Sequence, residues 1–321
     1  MRAMHTEARP ARASLDVVLP AYNEAASLPL LLPMLAGVLT PLSERWRLII
    51  VDDGSSDATP VVVQQAIAAG QPIRYLRLSR NFGKEAALTA GLAVADAERV
   101  LLMDADGQHA PELVAQMDAA WQRGADMVCA VRAGREDEGL LKRLGTRAFY
   151  GIVNASSQLK IPPDAGDFRL LDRRVVAALN ALPERNRFMK GLYAWVGFRT
   201  EFLPYTPQAR TAGSSSFSAR RLIRLALTGV TAFSNMPLRI WSGLGALVAL
   251  GGLGYGAWIV LDHLIWGDQI PGWATLVVGL MFFGGIQMLS IGIIGEYVGR
   301  IFDEVKQRPV YLVQHDTGNP P

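Results

Sequence analysis

Four times in succession the chain climbs from a short apolar run into a polar cluster: "LDVVLPAYNE", "WRLIIVDDGSSD", "IRYLRLSRNFGK" and "RVLLMDADGQH". Between these runs lie stretches of helical pattern: about Ala26 to Leu39, onward from Asp57, about Lys84 to Val94, and from Pro111. "DMVCAVR" is a fifth strand candidate. Strand–helix alternation with short connections predicts a mostly parallel sheet covered by helices on both faces. Ligands of such sheets bind beyond the carboxyl ends of the strands. All four polar clusters follow strands, so they are expected to meet along one edge.

The last cluster places Asp104 and Asp106 one residue apart, and two carboxylates so close repel unless something positive lies between them. Taken alone the stretch is also an ordinary turn opening a helix, since Asp106, Gly107 and Pro111 are common there. No GxGxxG follows the first strand and no GxxxxGK[ST] occurs, which sets aside dinucleotide and P-loop sites. A calcium loop starting at Asp104 would need a bidentate Glu where Ala115 stands. What remains is an acid pair suited to Mg²⁺ or Mn²⁺, which takes one or two carboxylates and fills its other positions with phosphate oxygens and water. The diphosphate of an activated sugar would supply those oxygens.

The chain of 321 residues is 50% hydrophobic and 19% charged, with mean hydropathy +0.19. The apolar excess is concentrated after residue 237. Ile240 to Leu261 and Ile270 to Gly295 carry no charge. As helices they would span roughly 33 and 39 Å, against a hydrocarbon core of about 30 Å. Trp241, Trp258, Trp266 and Trp273 lie near their ends, as interfacial aromatics do. Arg220, Arg221, Arg224 and Arg239 precede the first span, and Arg300, Lys306 and Arg308 follow the second. The intervening stretch carries Asp262, His263 and Asp268 with no Lys or Arg. Positive charge on the inner side then puts the large domain and the tail in the cytoplasm. "FSARRLIRLALTGV" reads as an amphipathic helix on the membrane surface. The expected organisation is a disordered lead (1–14), a catalytic domain (15–212), a juxtamembrane helix (213–237), two spans (238–298) and a tail (299–321). Net charge of +3 gives no broad nucleic-acid surface, and the single cysteine, Cys129, excludes an internal disulfide and fits a reducing compartment.

"VVLPAYNEAASL", "IIVDDGSSDAT", "SRNFGKEAALTAGL", "MDADGQHAPE", "GDFRLLDR", "NRFMKGLYAWVGF" and "GIQMLSIGIIGEYVGRIFDEVKQRPVY" occur in that order. In this the chain resembles the polyprenyl-phosphate glycosyltransferases. It is similar to dolichol-phosphate mannosyltransferases and more so to bacterial bactoprenol glucosyltransferases with two C-terminal spans. The resemblance, from about Leu15 to Val313, implies an α/β GT-A fold, Rossmann-like with a mostly parallel sheet, followed by a two-helix transmembrane hairpin. It implies a nucleotide-sugar donor, an undecaprenyl or other polyprenyl phosphate acceptor, inversion at the anomeric carbon, and Mg²⁺ or Mn²⁺. Carried over by position, Pro20, Tyr22, Glu24, Val51 and Asp53 hold the nucleoside. Asn81, Gly83 and Lys84 lie near the base or diphosphate, and Arg210 steadies the donor phosphates. Asp104, Asp106 and Gln108 hold the metal and the diphosphate. Arg132, Arg147 and Lys142 meet the acceptor phosphate, and Asp167 recognises a sugar hydroxyl or steers charge. Two departures stand out: "DGQHAPE", with His109, replaces "DLQDPPE", and Ser216 stands where the family has Lys.

The chemistry implied is economical. A phosphate monoester has a second pKa of about 6, so the lipid phosphate is largely a dianion at neutral pH and already nucleophilic. No Ser-His-Asp relay is apparent. The enzyme must hold that phosphate in line with C1 and stabilise the departing nucleoside diphosphate, tasks suited to bidentate arginines and a cation. A UDP-hexose such as UDP-glucose is the expected donor, with GDP-mannose the alternative. A catalytically silent, membrane-tethered nucleotide-binding subunit is the rival of a different class. A processive polysaccharide synthase would show a QxxRW motif and more spans. The expected setting is the inner membrane and cell-envelope glycan modification, in a homo-oligomer with no nucleic-acid partner.

Overall fold

Strand β1 (Leu15–Ala21) sends Leu15, Val17 and Leu19 to one face of a sheet and Val18 to the other, the two-residue period of a strand buried on both sides. The computed structural model describes residues 9–10, 12–106, 112–132, 165–185, 187–205, 236–266 and 272–318. Around β1 lie β2 (Trp46–Asp52), β3 (Ile73–Leu78) and β4 (Arg99–Leu102), with β1–β2, β1–β4 and β2–β3 all parallel.

One face is covered by α1 (Leu28–Leu42), α2 (Thr59–Ala68) and α4 (Leu113–Gln122). The buried residues of α1, Leu28, Leu31, Leu32, Leu35 and Leu39, recur at helical spacing. Each fully buried leucine contributes on the order of 2 kcal/mol. The other face is covered by α3 (Lys84–Val94), α5 (Arg173–Ala181) and α6 (Met189–Trp195). Helix α3 is built from small residues and lies close to the strands. A Cβ on Gly91 would fall 2.3 Å from a methyl of Val18.

The expected parallel core is present, and the sheet extends beyond it. Its order is β7-β5-β6-β4-β1-β2-β3-β8, with β5 (Met127–Arg132), β6 (Ala165–Asp172), β7 (Thr200–Tyr205) and β8 (Val313–Asp316). Strand β6 runs antiparallel between β4 and β5, β7 is parallel to β5, and β8 is antiparallel to β3.

Two long helices precede β8: α7 (Met236–Trp266) and α8 (Trp273–Val305). They meet where Trp241 Nε1 donates to Ser290 Oγ. The stretch Gly279–Val305 in α8 has the length and hydropathy, 1.4, to cross a membrane. The second apolar run, expected to begin at Ile270, becomes helical at Trp273, and Asp262 and His263 lie inside α7 rather than in a loop.

The expectation of a disordered lead through residue 14 needs correction. Arg9 donates to the Ala125 carbonyl at 2.6 Å and pairs with Asp126 and Asp172, each at 3.1 Å. Ala13 is buried, and the Ser14 amide donates to Glu98 at 2.9 Å. The tail (299–321) joins the sheet through β8, where Arg74 pairs with Asp316 at 2.7 Å.

Candidate active site

The loops after β1, β2 and β3 are bound to one another before any ligand is considered. Asn23, in "AYNE", takes the left-handed conformation (φ 59°), and its amide donates to Ser55 Oγ at 2.9 Å. Its own Oδ1 accepts from the Ser56 amide at 2.9 Å, and the Glu24 amide donates to Thr59 Oγ1 at 2.8 Å. In "DDGSSD" the two leading acids divide the work. Asp52 is fully buried, accepting from the Ser55 amide at 2.7 Å and the Tyr75 hydroxyl at 2.6 Å. Burial, then Asp52 itself, pushes the Tyr75 phenol far up, so it stays a donor. Asp53 accepts from the Phe82 amide at 2.7 Å and the Gly83 amide at 2.8 Å, which orients the loop leading into α3. Gly54, at φ 70°, lets this turn approach the third loop; a Cβ there would lie 2.6 Å from the Arg80 carbonyl carbon.

These loops enclose a cleft of about 330 Å³ at the carboxyl ends of the strands. Pro20, Tyr22 and Glu24 come from the first loop, Asp53 from the second, Asn81, Gly83 and Lys84 from the third, and Asp104 and Asp106 from the fourth. The four polar clusters therefore share one wall. Burial pushes the Glu24 carboxyl up against the pull of Ser27, and Asp106, Asp104 and Asp57 push it further, which records excess negative charge at this end.

Lys84 opens α3 and bridges two acids that are far apart in sequence. Its Nζ lies 2.6 Å from Asp104 Oδ1 and 2.7 Å from Asp167 Oδ2. Burial opposes the ammonium charge, but Asp104 and Asp167 outweigh it and hold Lys84 well above its usual pKa. Asp167 arrives from β6, the antiparallel insertion, and its second oxygen is buried with no hydrogen-bond partner. Behind it lies Arg169, whose Nε donates to the Gly166 carbonyl at 2.9 Å and whose guanidinium stacks 4.3 Å from the Tyr193 ring centroid.

Val51, expected at the nucleoside, is fully buried among Val18, Ile49 and Ala87 on the α3 side of the sheet, so its side chain packs rather than lining the cleft. Asp53 reaches the cleft while both its oxygens serve the backbone. Arg132 ends β5, its backbone in register with Tyr205. Gln108, His109, Lys142, Arg147, Arg210 and Ser216 lie outside the described residues, as does the proposed surface helix up to residue 235. Sequence reasoning missed the structural part played by Asn23 and Asp52, and it missed Glu85. The Oε2 of Glu85 accepts from the Met189 amide at 3.1 Å beside the Lys84 bridge.

A strand-edge cleft of this shape, with a DxD pair on one wall, on a mixed sheet with a helical C-terminal hairpin, defines a GT-A glycosyltransferase. The chain belongs to glycosyl transferase family 2, which it matches over residues 16–179, and residues 236–301 match the GtrB C-terminal hairpin. It is 42% identical over 299 residues to an uncharacterized glycosyltransferase of Synechocystis, covering 93% of this chain and 94% of that one. It is 41% identical over 308 residues to the SfII prophage-derived bactoprenol glucosyl transferase of Shigella flexneri, covering 95% and 99%. A mycobacterial protein of known crystal structure shares the fold at 18% identity and TM-score 0.50, over 69% of this chain and 75% of that one.

Proposed function

We propose that this enzyme transfers glucose from UDP-glucose to undecaprenyl phosphate with inversion, at the cytoplasmic face of the membrane. The observation that carries the proposal is the cleft joining Asp104 and Asp106 to Lys84 at the start of α3. The name of the Shigella relative supplies the sugar and the lipid.

A divalent cation fits this site. The donor set is oxygen only, and Asp104 and Asp106, which add to the burial that lifts the Glu24 carboxyl, carry the kind of charge a hard cation neutralises. Asp104 and Asp106, with Gln108, would hold Mg²⁺ or Mn²⁺. When bound, the ion supplies Lewis-acid stabilisation of the departing diphosphate.

The chain's own residues do the rest. Asp53 fixes Gly83 and so aims the first turn of α3 at the cleft, where the positive helix end favours phosphate. Lys84 stays protonated and is positioned to exchange an Asp104 contact for a donor phosphate oxygen. Asp167 keeps that ammonium at the edge of the cleft. The acceptor dianion needs no general base, so Arg132, Arg147 and Lys142 are assigned to hold it and Arg210 to the donor phosphates.

The sheet also supports the topology. Strands β7 and β8 flank the hairpin in sequence and share one sheet, so the chain leaves and returns on the same side of the membrane. The basic residues around the hairpin make that side the cytoplasm.

The test is the purified full chain incubated with undecaprenyl phosphate and, in turn, labelled UDP-glucose, UDP-galactose and GDP-mannose. Label should enter the lipid fraction from UDP-glucose, as the β-anomer. Transfer from GDP-mannose alone would replace the sugar assignment. No transfer from any donor, with nucleotide still bound, would make the chain a silent subunit.

A further inference from the structure

A second recess lies where the end of α8 meets the catalytic domain. It has a volume of about 340 Å³, and four of its lining residues are basic: Arg185 and Arg187 from the segment before α6, and Lys306 and Arg308 from the segment after α8. Glu85 and Asp303 also line it, so bases outnumber acids two to one. The recess is fastened in place. Arg185 donates from its amide to both Glu304 carboxylate oxygens at 3.2 Å and from Nη1 to the Arg308 carbonyl at 2.7 Å. Arg187 gives Nε to the Glu184 carbonyl and Nη2 to the Leu182 carbonyl, which leaves Nη1 buried with no partner.

This recess shares no lining residue with the donor cleft. Gly83, Lys84 and Ala87 face the cleft, whereas Phe82, Glu85 and Ala86 face the recess, so the two lie on different sides of the same helical turn. An acceptor phosphate must come within about 3.5 Å of the sugar carbon, which a group on the far side of α3 does not do. Yet the recess adjoins apolar surface. Ile301, Phe302 and Val305, on the last turns of α8, are 61%, 56% and 72% exposed. Basic groups immediately beyond an exposed apolar helix end match a lipid: phosphate among the cations, acyl chains along the helix.

We propose that this recess binds the phosphodiester headgroup of an anionic phospholipid, distinct from the lipid acceptor, and so seats the catalytic domain on the membrane. The site rests on α8 lying in the membrane and goes beyond the transfer reaction, because bound lipid is read without any sugar transfer.

The test uses the full chain in neutral detergent, titrated with dioleoyl phosphatidylglycerol or dioleoyl phosphatidylcholine and read by native mass spectrometry. Lys306→Gln with Arg308→Gln should weaken phosphatidylglycerol binding roughly thirtyfold, from about 1 kcal/mol per basic residue at an anionic surface. Phosphatidylcholine binding should not change, and neither should a control carrying Arg12→Gln and Arg45→Gln at the other end of the sheet. Lys306→Gln alone, on an exposed side chain, should give roughly a fivefold loss and serves if the double variant unfolds. Equal phosphatidylglycerol affinity in wild type and variants overturns the proposal. So does full displacement of the lipid by low-millimolar inorganic phosphate, which would mark a free-anion site. Loss of undecaprenyl phosphate binding with phosphatidylglycerol binding intact also overturns it, and would assign the recess to the acceptor.

Discussion

Glu85→Gln should stabilise this protein above neutral pH and do little below pH 5. Glu85 sits on the first turn of α3, half-buried beside Asp167, and burial first and Asp167 second push its carboxyl from 4.5 up to about 7. The Met189 amide, Lys84 and Lys190 pull the other way without prevailing. Between these two values the folded protein binds a proton that the unfolded chain has released, so stability falls as pH rises through the window. The full contribution is present below pH 4.5 and is lost once pH passes about 7. At ~1.4 kcal/mol per pH unit the gap has a ceiling of about 3 kcal/mol. For a domain of ~200 residues that is about 6–12 °C in melting temperature. Gln keeps an oxygen for the Met189 amide and removes the charge. Thermal unfolding of the full chain in neutral detergent, followed by tryptophan fluorescence from pH 5 to pH 8, should show a variant-minus-wild-type gap that opens between pH 5 and 7 and then levels off. A gap that does not vary with pH, or a variant less stable at pH 8, would refute the reasoning.

Asp106→Ala should abolish transfer, and chelator should mimic it, with Mg²⁺ or Mn²⁺ restoring only the unmutated enzyme; full activity in excess chelator would end the metal assignment. Gly54→Ala combines a left-handed φ with a 2.6 Å backbone approach and should cost roughly 2–4 kcal/mol. An unchanged melting temperature would show that the second and third loops are not held as described. Cysteines placed near Asp268 should react with an impermeant reagent from outside the cell, while those at Gly213 or Gln314 should not. The buried native Cys129 leaves the background low. Arg147→Ala should raise the apparent KM for lipid while leaving nucleotide titration unchanged; weaker nucleotide binding with normal lipid dependence would move this residue to the donor side.

The parallel core was legible because its strands announce themselves twice, by apolar runs and by the polar clusters that end them. Helix α3 was placed at Lys84–Val94 from pattern alone. Strand β6 was not seen as a strand because Arg169 sits in its middle, 4% exposed, its charge accommodated by a carbonyl and an aromatic ring that no local pattern reveals. Strand β8, "VQHD", is polar and largely exposed and pairs through its backbone, so it carries no alternation to read. The convergence of the strand-end clusters could be inferred from topology, but the Lys84–Asp167 contact could not, since it depends on β6 entering beside β4. The assignment of Asp53 to the nucleoside comes from the family resemblance, which does not show what else its carboxylate holds. Its two backbone partners at Phe82 and Gly83 appear only once the third loop is folded against it.

The pairing of β8 with β3 has a consequence for synthesis. Arg74 and Asp316 are 242 positions apart, and both long helices lie between them. During translation the β3 edge waits, open to stray partners, until the ribosome has released the hairpin and the segment beyond it. The catalytic sheet is thus completed only after both long helices have been synthesised. A chain cut short before β8 keeps an unguarded strand edge, the sort of exposed backbone that quality-control proteases and aggregation both find.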